Sequence, residues 1–411
     1  MQFIIPTPLL AALMALPMAP GALARPSSCK ANLVAPRAIY TISNDQQNAV
    51  VAMPVQADGM VGKATTSTAT GGIGANGIDG STNQPSAPDA LFSQSALTVA
   101  GKMLFAVNAG SNTVSMFAID AADPTKLTMV GKPAAVPGEF PTTVAASDKH
   151  KMVCVGTTGA KAGVACAPFS AAAGGIGPMD ALRPFDLGQS TPPVGPTNTV
   201  SHVFFSRDQQ TLFTTVKGDP TKNNTGFLAR FAVVAADAGG GCDGGAATVA
   251  QKGAKASPAG TAVLFGAATI PGSQDLFATD ASFGAAVLSV QNDGHAVAVK
   301  GKGVVDGQKA TCWATVSPAT KSAFVTDVGT NRLVEMSVAN ARVMGQVDLS
   351  ANGDPGMIDV MAGGNFIYAL SPGNGSTPTA ITVVNAREKT QVQHFQIGPA
   401  GKNSMGLAMV V

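Results

Sequence analysis

The residues best suited to chemistry in this chain are Asp and Asn side chains that recur where short apolar runs end. Asn44, Asp45, Asn108, Asn112, Asp219, Asp280, Asp327 and Asn331 hold matching places in successive copies of one sequence pattern. Carboxylate and amide oxygens suit hard cations and sugar hydroxyls alike, so such a set, with Asn108, Asp280 and Asp327 foremost, would bind a ligand. The same residue types also close Asx turns onto their own backbone, which needs no ligand. Among the histidines, His202 lies inside an apolar run, Val200-Ser-His-Val-Phe-Phe205. His150, His295 and His394 fall in turns or in a more polar run, where solvation is expected. No Gly-x-Ser-x-Gly elbow and no Cys/His ligand spacing occurs, so neither serine-hydrolase chemistry nor a metal site is expected. Gly71-Gly-Ile-Gly-Ala-Asn-Gly77 lacks the βαβ setting of a dinucleotide cradle and reads as a glycine-rich loop.

The elements that must position these residues are hairpins. Leu104-Phe-Ala-Val-Asn108 followed by Asn112-Thr-Val-Ser-Met-Phe-Ala-Ile119 is the clearest copy. Leu276–Asp280 with Ala285–Val290, and Ala323–Asp327 with Asn331–Val338, repeat it, and looser copies sit at 39–55, 153–169, 212–233 and 367–384. Hairpins at spacings of roughly 45–65 residues lie in the range of propeller blades. Six of the seven are preceded by a further apolar run, namely Ser95–Val99, Thr142–Ala146, Val203–Phe205, Thr261–Phe265, Cys312–Val316 and Met357–Met361. These would be innermost strands, with a variable outer strand such as Ala341–Leu349 completing each four-stranded blade. The first hairpin lacks an inner strand, and the chain ends in Ser404-Met-Gly-Leu-Ala-Met-Val-Val411. That strand belongs in the first blade, where it would close the ring and remove two exposed sheet edges. The expected fold is therefore all-β: a seven-bladed β-propeller of four-stranded antiparallel blades, spanning residues 36–411. The Gly/Ser/Thr/Asn-rich stretch 58–90 reads as an insertion, either floppy or lying over one face. A second Gly/Ala-rich loop covers 235–260.

Composition bounds the partners. Charged residues are 12% of 411, and the net charge is +2. No broad basic field for nucleic acid follows from such a balance. Residues 3–18 are apolar and end in Gly21-Ala-Leu-Ala24, a small-x-small cleavage pattern too short and proline-broken for a membrane span. We read residues 1–24 as a secretory signal, 25–35 as an N-terminal extension, and the protein as extracellular. Cys154 and Cys166 flank Thr157–Gly163 symmetrically, so in a hairpin they would face each other and form a disulfide, or else be two small buried residues. Cys29, Cys242 and Cys312 leave one thiol unpaired or bonded outside the chain. Asn223-Asn-Thr and Asn374-Gly-Ser are sequons in hairpin turns, and glycosylation is expected at one or both.

Inner strand, Ser-x-Asp-type turn, aromatic-bearing strand ending in Asp or Asn, and Val-x-x-Phe-x-Val together resemble the lactonase-type propellers. These include the 6-phosphogluconolactonases and the 3-carboxy-cis,cis-muconate lactonizing enzymes. The leader and Tyr40-Thr-Ile-Ser-Asn-Asp-Gln-Gln-Asn-Ala-Val50 resemble the secreted fungal 3-carboxymuconate cyclase-like proteins, a group with surface glycoprotein antigens and adhesins. The catalytic pattern of the lactonizing enzymes survives at one of three places. Phe140-Pro-Thr-Thr-Val144 has Thr142 where that family has His. His202 is kept, but Val200 and Ser201 replace Pro and Arg, and Leu212–Lys217 ends in Val-Lys rather than Asn-Glu. A carboxylate-to-ammonium exchange removes an acid/base candidate and reverses the local charge.

The resemblance thus implies a noncatalytic binding protein of antigen or adhesin type, needing no cofactor and acting as a monomer. Its partners would be extracellular matrix protein, cell-wall glycan or a small carboxylated ligand. The alternative is a lactonase or cycloisomerase in which His202 is the general acid/base and Lys217 or Arg207 neutralises substrate carboxylates. Convergence of those three side chains on one pocket would separate the two readings.

Overall fold

Among the described residues, alternating apolar strands joined by Asx-rich turns assemble into seven sheets of four or five strands, plus one small sheet of three. The computed structural model describes residues 1–2, 33–234, 247–290 and 297–411. The leader, Cys29, Cys242 and His295 therefore lie outside the described residues. Among those described, helix is limited to short 3-10 turns. Leu33–Val411 forms one compact unit, a β-propeller.

In the first sheet the order is Thr66–Ala69, Ala49–Pro54, Ala38–Ile42 and then Met405–Val410, all antiparallel. The C-terminal strand is thus the innermost strand of the first blade, as its sequence suggests. The other innermost strands are Leu97–Ala100, Pro141–Ser147, Val200–Phe205, Leu264–Thr269, Thr311–Val316 and Val360–Gly363. Each adjoins the next, and Val360–Gly363 adjoins Met405–Val410, so the ring closes. Apolar side chains of neighbouring sheets interdigitate between the blades, which is where the core lies.

Three innermost strands begin later than the sequence suggests, the second at Leu97 rather than Ser95. The fifth starts at Leu264 rather than Thr261, because Asp280 accepts hydrogen bonds from the backbone N–H groups of Ala262 and Val263 and caps them in a turn. The seventh starts at Val360 rather than Met357. The 58–90 stretch is neither floppy nor merely a cover. It supplies the outer strand Thr66–Ala69, and Ile78–Asp79 and Gln84–Pro85 join Val194–Gly195 in the small sheet. Cys154 and Cys166 are cross-strand partners and are disulfide-bonded.

Candidate functional site

The channel of the ring is filled by the chain itself. Ala90 to Ser95 leaves the small sheet and passes between the innermost strands, with Ala90, Leu91, Phe92, Ser93 and Gln94 all buried. Those strands are prepared for it. Their pairing register slips between Pro141 and Thr143, between Val200 and His202, and between Thr311 and Ala314. A bulge leaves an extra residue outside the ladder, and its backbone groups need partners elsewhere. At Thr142 and Ser201 the channel segment supplies them. Ser93 Oγ donates to Thr142 O at 2.7 Å and Gln94 N to Ser201 O at 2.8 Å. Trp313 Nε1 donates to Ser93 O at 3.0 Å, and the Gln94 amide exchanges two bonds with Ala314. Gly77 and Gly195 let the Phe92 ring lie against bare backbone, since a Cβ at either position would come within 2.3 or 2.4 Å of its Cε2.

His202 sits beyond this segment. Its Nδ1 accepts from Ala267 N at 3.3 Å, so its Nε2 carries the proton and donates to Ser95 Oγ at 3.1 Å. The ring stacks on Phe204 and is only 5% exposed. Burial pushes its pKa down to about 3, so the imidazole is neutral at any physiological pH. His202, Ser95 and Thr269 form part of a depression of about 380 Å³ that Arg207 also lines.

Lys217 opens elsewhere. It follows the strand Thr211–Val216, two residues past Thr215, the cross-strand partner of His202. Its Nζ donates to Phe92 O at 2.5 Å and Ser201 Oγ at 3.2 Å, and lies 4.1 Å from the centroid of the Phe265 ring. The side chain lines a second cavity of about 520 Å³ with Asp89, Phe265, Cys312 and Trp313. Burial lowers the Lys217 pKa, opposed by the charge of Asp89. Burial raises the Asp89 pKa, opposed by Lys217 and by the Phe92 N–H. Burial also holds the Cys312 thiol protonated. Phe92 touches Lys217 and Ser95 touches His202, so the channel segment separates the two cavities. His202 and Arg207 share one mouth, and Lys217 belongs to the other.

The recurring Asp and Asn side chains are turned to the fold. Asn108 Oδ1 accepts from Asn48 Nδ2 and Thr70 Oγ1, and its Nδ2 donates to Thr113 and Ser115. Asp280 also binds Ser282, and Asp327 binds the N–H groups of Lys309 and Ala310 and the guanidinium of Arg332. All three are fully buried and none lines the Lys217 cavity. Beyond simple Asx turns, they tie each hairpin to a neighbouring loop. Asn223 and Asn374 lie on exposed turns. Asp89 and residues 90–94 have no place among the repeat signals, and Trp313 enters them only as part of the inner-strand run Cys312–Val316. The only hint in sequence is an apolar Ala90-Leu-Phe cluster after a polar stretch.

Ring, filled channel and two mouths together define a β-propeller. The chain is similar to the periplasmic gluconolactonase of Pseudomonas aeruginosa, with 15% identity and a TM-score of 0.59 over 91% of this chain and 99% of that one. It is also similar to a candidate 6-phosphogluconolactonase from Bacteroides fragilis (12%, 0.54, covering 93% and 99%). A third similar structure is a streptogramin B lyase (12%, 0.51, covering 77% and 87%). No protein-family model matches the chain, and no curated protein matches it. At such identities the likeness is one of fold.

Proposed function

We propose that this chain is a secreted, glycosylated, noncatalytic binding propeller, as the resemblance to fungal antigens and adhesins implies. One observation carries the reading. The three side chains that lactonizing chemistry would recruit do not converge on one pocket: His202, buried and engaged at both nitrogens, shares a depression with Arg207, while Lys217 faces a different cavity. A general acid must hold a transferable proton within reach of the substrate, and a ring kept neutral far below pH 7 is a poor proton store. The disulfide agrees with an oxidising compartment, and the exposed sequons Asn223 and Asn374 agree with glycosylation. Partners in this reading are matrix protein, wall glycan or a small molecule at the channel mouth.

The test is a spectrophotometric assay of purified protein on 3-carboxy-cis,cis-muconate beside a His202→Ala control, followed by binding to immobilised matrix proteins and wall glycans. No loss of the conjugated diene, with saturable binding to one partner class, is the expected result. Turnover that disappears in the control would replace the reading with a lactonizing enzyme.

A further inference from the structure

The cavity beside Lys217 has a composition that selects a ligand class. Its volume of about 520 Å³ suits a small organic molecule. Pro88, Pro196, Pro220 and Pro355 contribute to its lining, and Phe265 and Trp313 stand in edge contact with centroids 4.7 Å apart. Of the polar residues that interrupt these apolar walls, Lys217 and Asp89 are not equivalent.

Lys217 is already satisfied. A primary ammonium has three N–H bonds, and this one has two oxygen acceptors, Phe92 O and Ser201 Oγ, with the Phe265 ring face beneath it. Asp89 is not. Its carboxylate lines the cavity and, the nearby Phe92 N–H apart, has no donor from the described residues; Oδ1 is shut off from solvent, so a ligand in the cavity would meet Oδ2. A carboxylate oxygen set in apolar walls without a protein donor favours a ligand that donates to it. An anionic ligand meets the opposite situation. It would lose its hydration, find the nearby ammonium already engaged, and face the negative charge of Asp89. Lys309, exposed at the rim, offers only a screened attraction.

We propose that this cavity binds a small, neutral ring compound bearing a hydroxyl group, which packs on the Phe265 and Trp313 wall and donates to Asp89, and that it rejects the matching carboxylate. This inference rests on the binding-protein reading and changes its small ligand from an acid to an alcohol or phenol.

Isothermal titration of the intact chain with 4-methylphenol, 4-methylbenzoate and toluene tests it. Trp313 is the only Trp in the chain and lines the cavity, so its emission reports whether binding occurs there. The expected order is 4-methylphenol tightest, by about tenfold over both others, with Trp emission shifting on binding. Asp89→Ala should bring the phenol down to the affinity of toluene and leave toluene unchanged. Val328→Phe, which narrows the cavity without touching Asp89, should weaken phenol and toluene together. Benzoate binding as tightly as the phenol, phenol affinity indifferent to Asp89, or no binding that moves Trp313 emission would each overturn the proposal. None of these outcomes concerns muconate turnover, so this inference and the noncatalytic reading can fail separately.

Discussion

Asp359 Oδ2 accepts the Ser95 N–H at 3.1 Å, tying the end of the channel segment to the seventh blade. The same oxygen accepts from Leu407 N at 3.0 Å, on the strand that closes the ring, and Oδ1 accepts from Val360 N. One carboxyl group therefore joins the channel filling, the last blade and the first.

Burial outweighs those three N–H groups and raises the Asp359 pKa from 3.8 to about 6. The folded protein then binds more protons than the unfolded chain between these values, so this residue's contribution to stability falls as pH rises through that window. Asp359→Asn removes the charge, but its NH2 must then face one of the three N–H donors, a cost that does not depend on pH. Chemical denaturation should find the variant better placed relative to wild type at pH 7 than at pH 4, by about 2 kcal/mol. A variant destabilised equally at both pH values would mean that the three hydrogen bonds dominate instead.

For His202 the sign is reversed. Its folded pKa is depressed from 6.5 to about 3, so below pH 6.5 the unfolded chain takes up a proton that the folded protein refuses. Stability falls as pH drops through that range, by about 1.4 kcal/mol per pH unit. Ring resonances followed by NMR should show no titration of His202 between about pH 5 and 8. An inflection there would reinstate an acid/base role.

The Phe92 ring requires glycine on both sides. Gly195→Ala should cost about 1–3 kcal/mol, since its Cβ would fall 2.4 Å from the ring. In a Phe92→Leu background the same change should cost distinctly less, and urea denaturation of the double-mutant cycle reads the coupling. Additive costs would mean that the ring and the glycine do not oppose each other.

Deleting residues 404–411 removes the innermost strand of the first sheet and leaves Ala38–Ile42 and Val360–Gly363 without their neighbour. Limited proteolysis should change from resistant to rapid across all blades, with loss of a single cooperative unfolding transition. Retained resistance would show that the ring is not closed by this strand.

Much of this architecture is legible in sequence because it is local and repeated. Period-two apolar runs, Asx-rich turns and the spare C-terminal strand appear in Leu104–Ile119, Leu276–Val290 and Met405–Val410, and each finds its place in a blade. The Cys154–Cys166 pair is legible for the same reason, since hairpin register alone sets those residues opposite each other. The start of the fifth inner strand is not, because Asp280, a residue on the next strand, caps Ala262 and Val263.

The candidate site lies at the other extreme. Whether His202 meets Lys217 depends on what fills the channel, and that filling comes from residues 90–95, far from both in sequence. The partners of that segment are bulged residues such as Thr142, Ser201 and Trp313, contributed by separate blades. Sequence by itself determined the strands, the blades and the closure of the ring, since side-chain alternation and turn chemistry act between near neighbours. Only the tertiary structure decided which polar groups are satisfied and which, like Asp89, are left with an acceptor to fill. Hydrogen-bond satisfaction in a closed ring depends on contacts among all its blades at once.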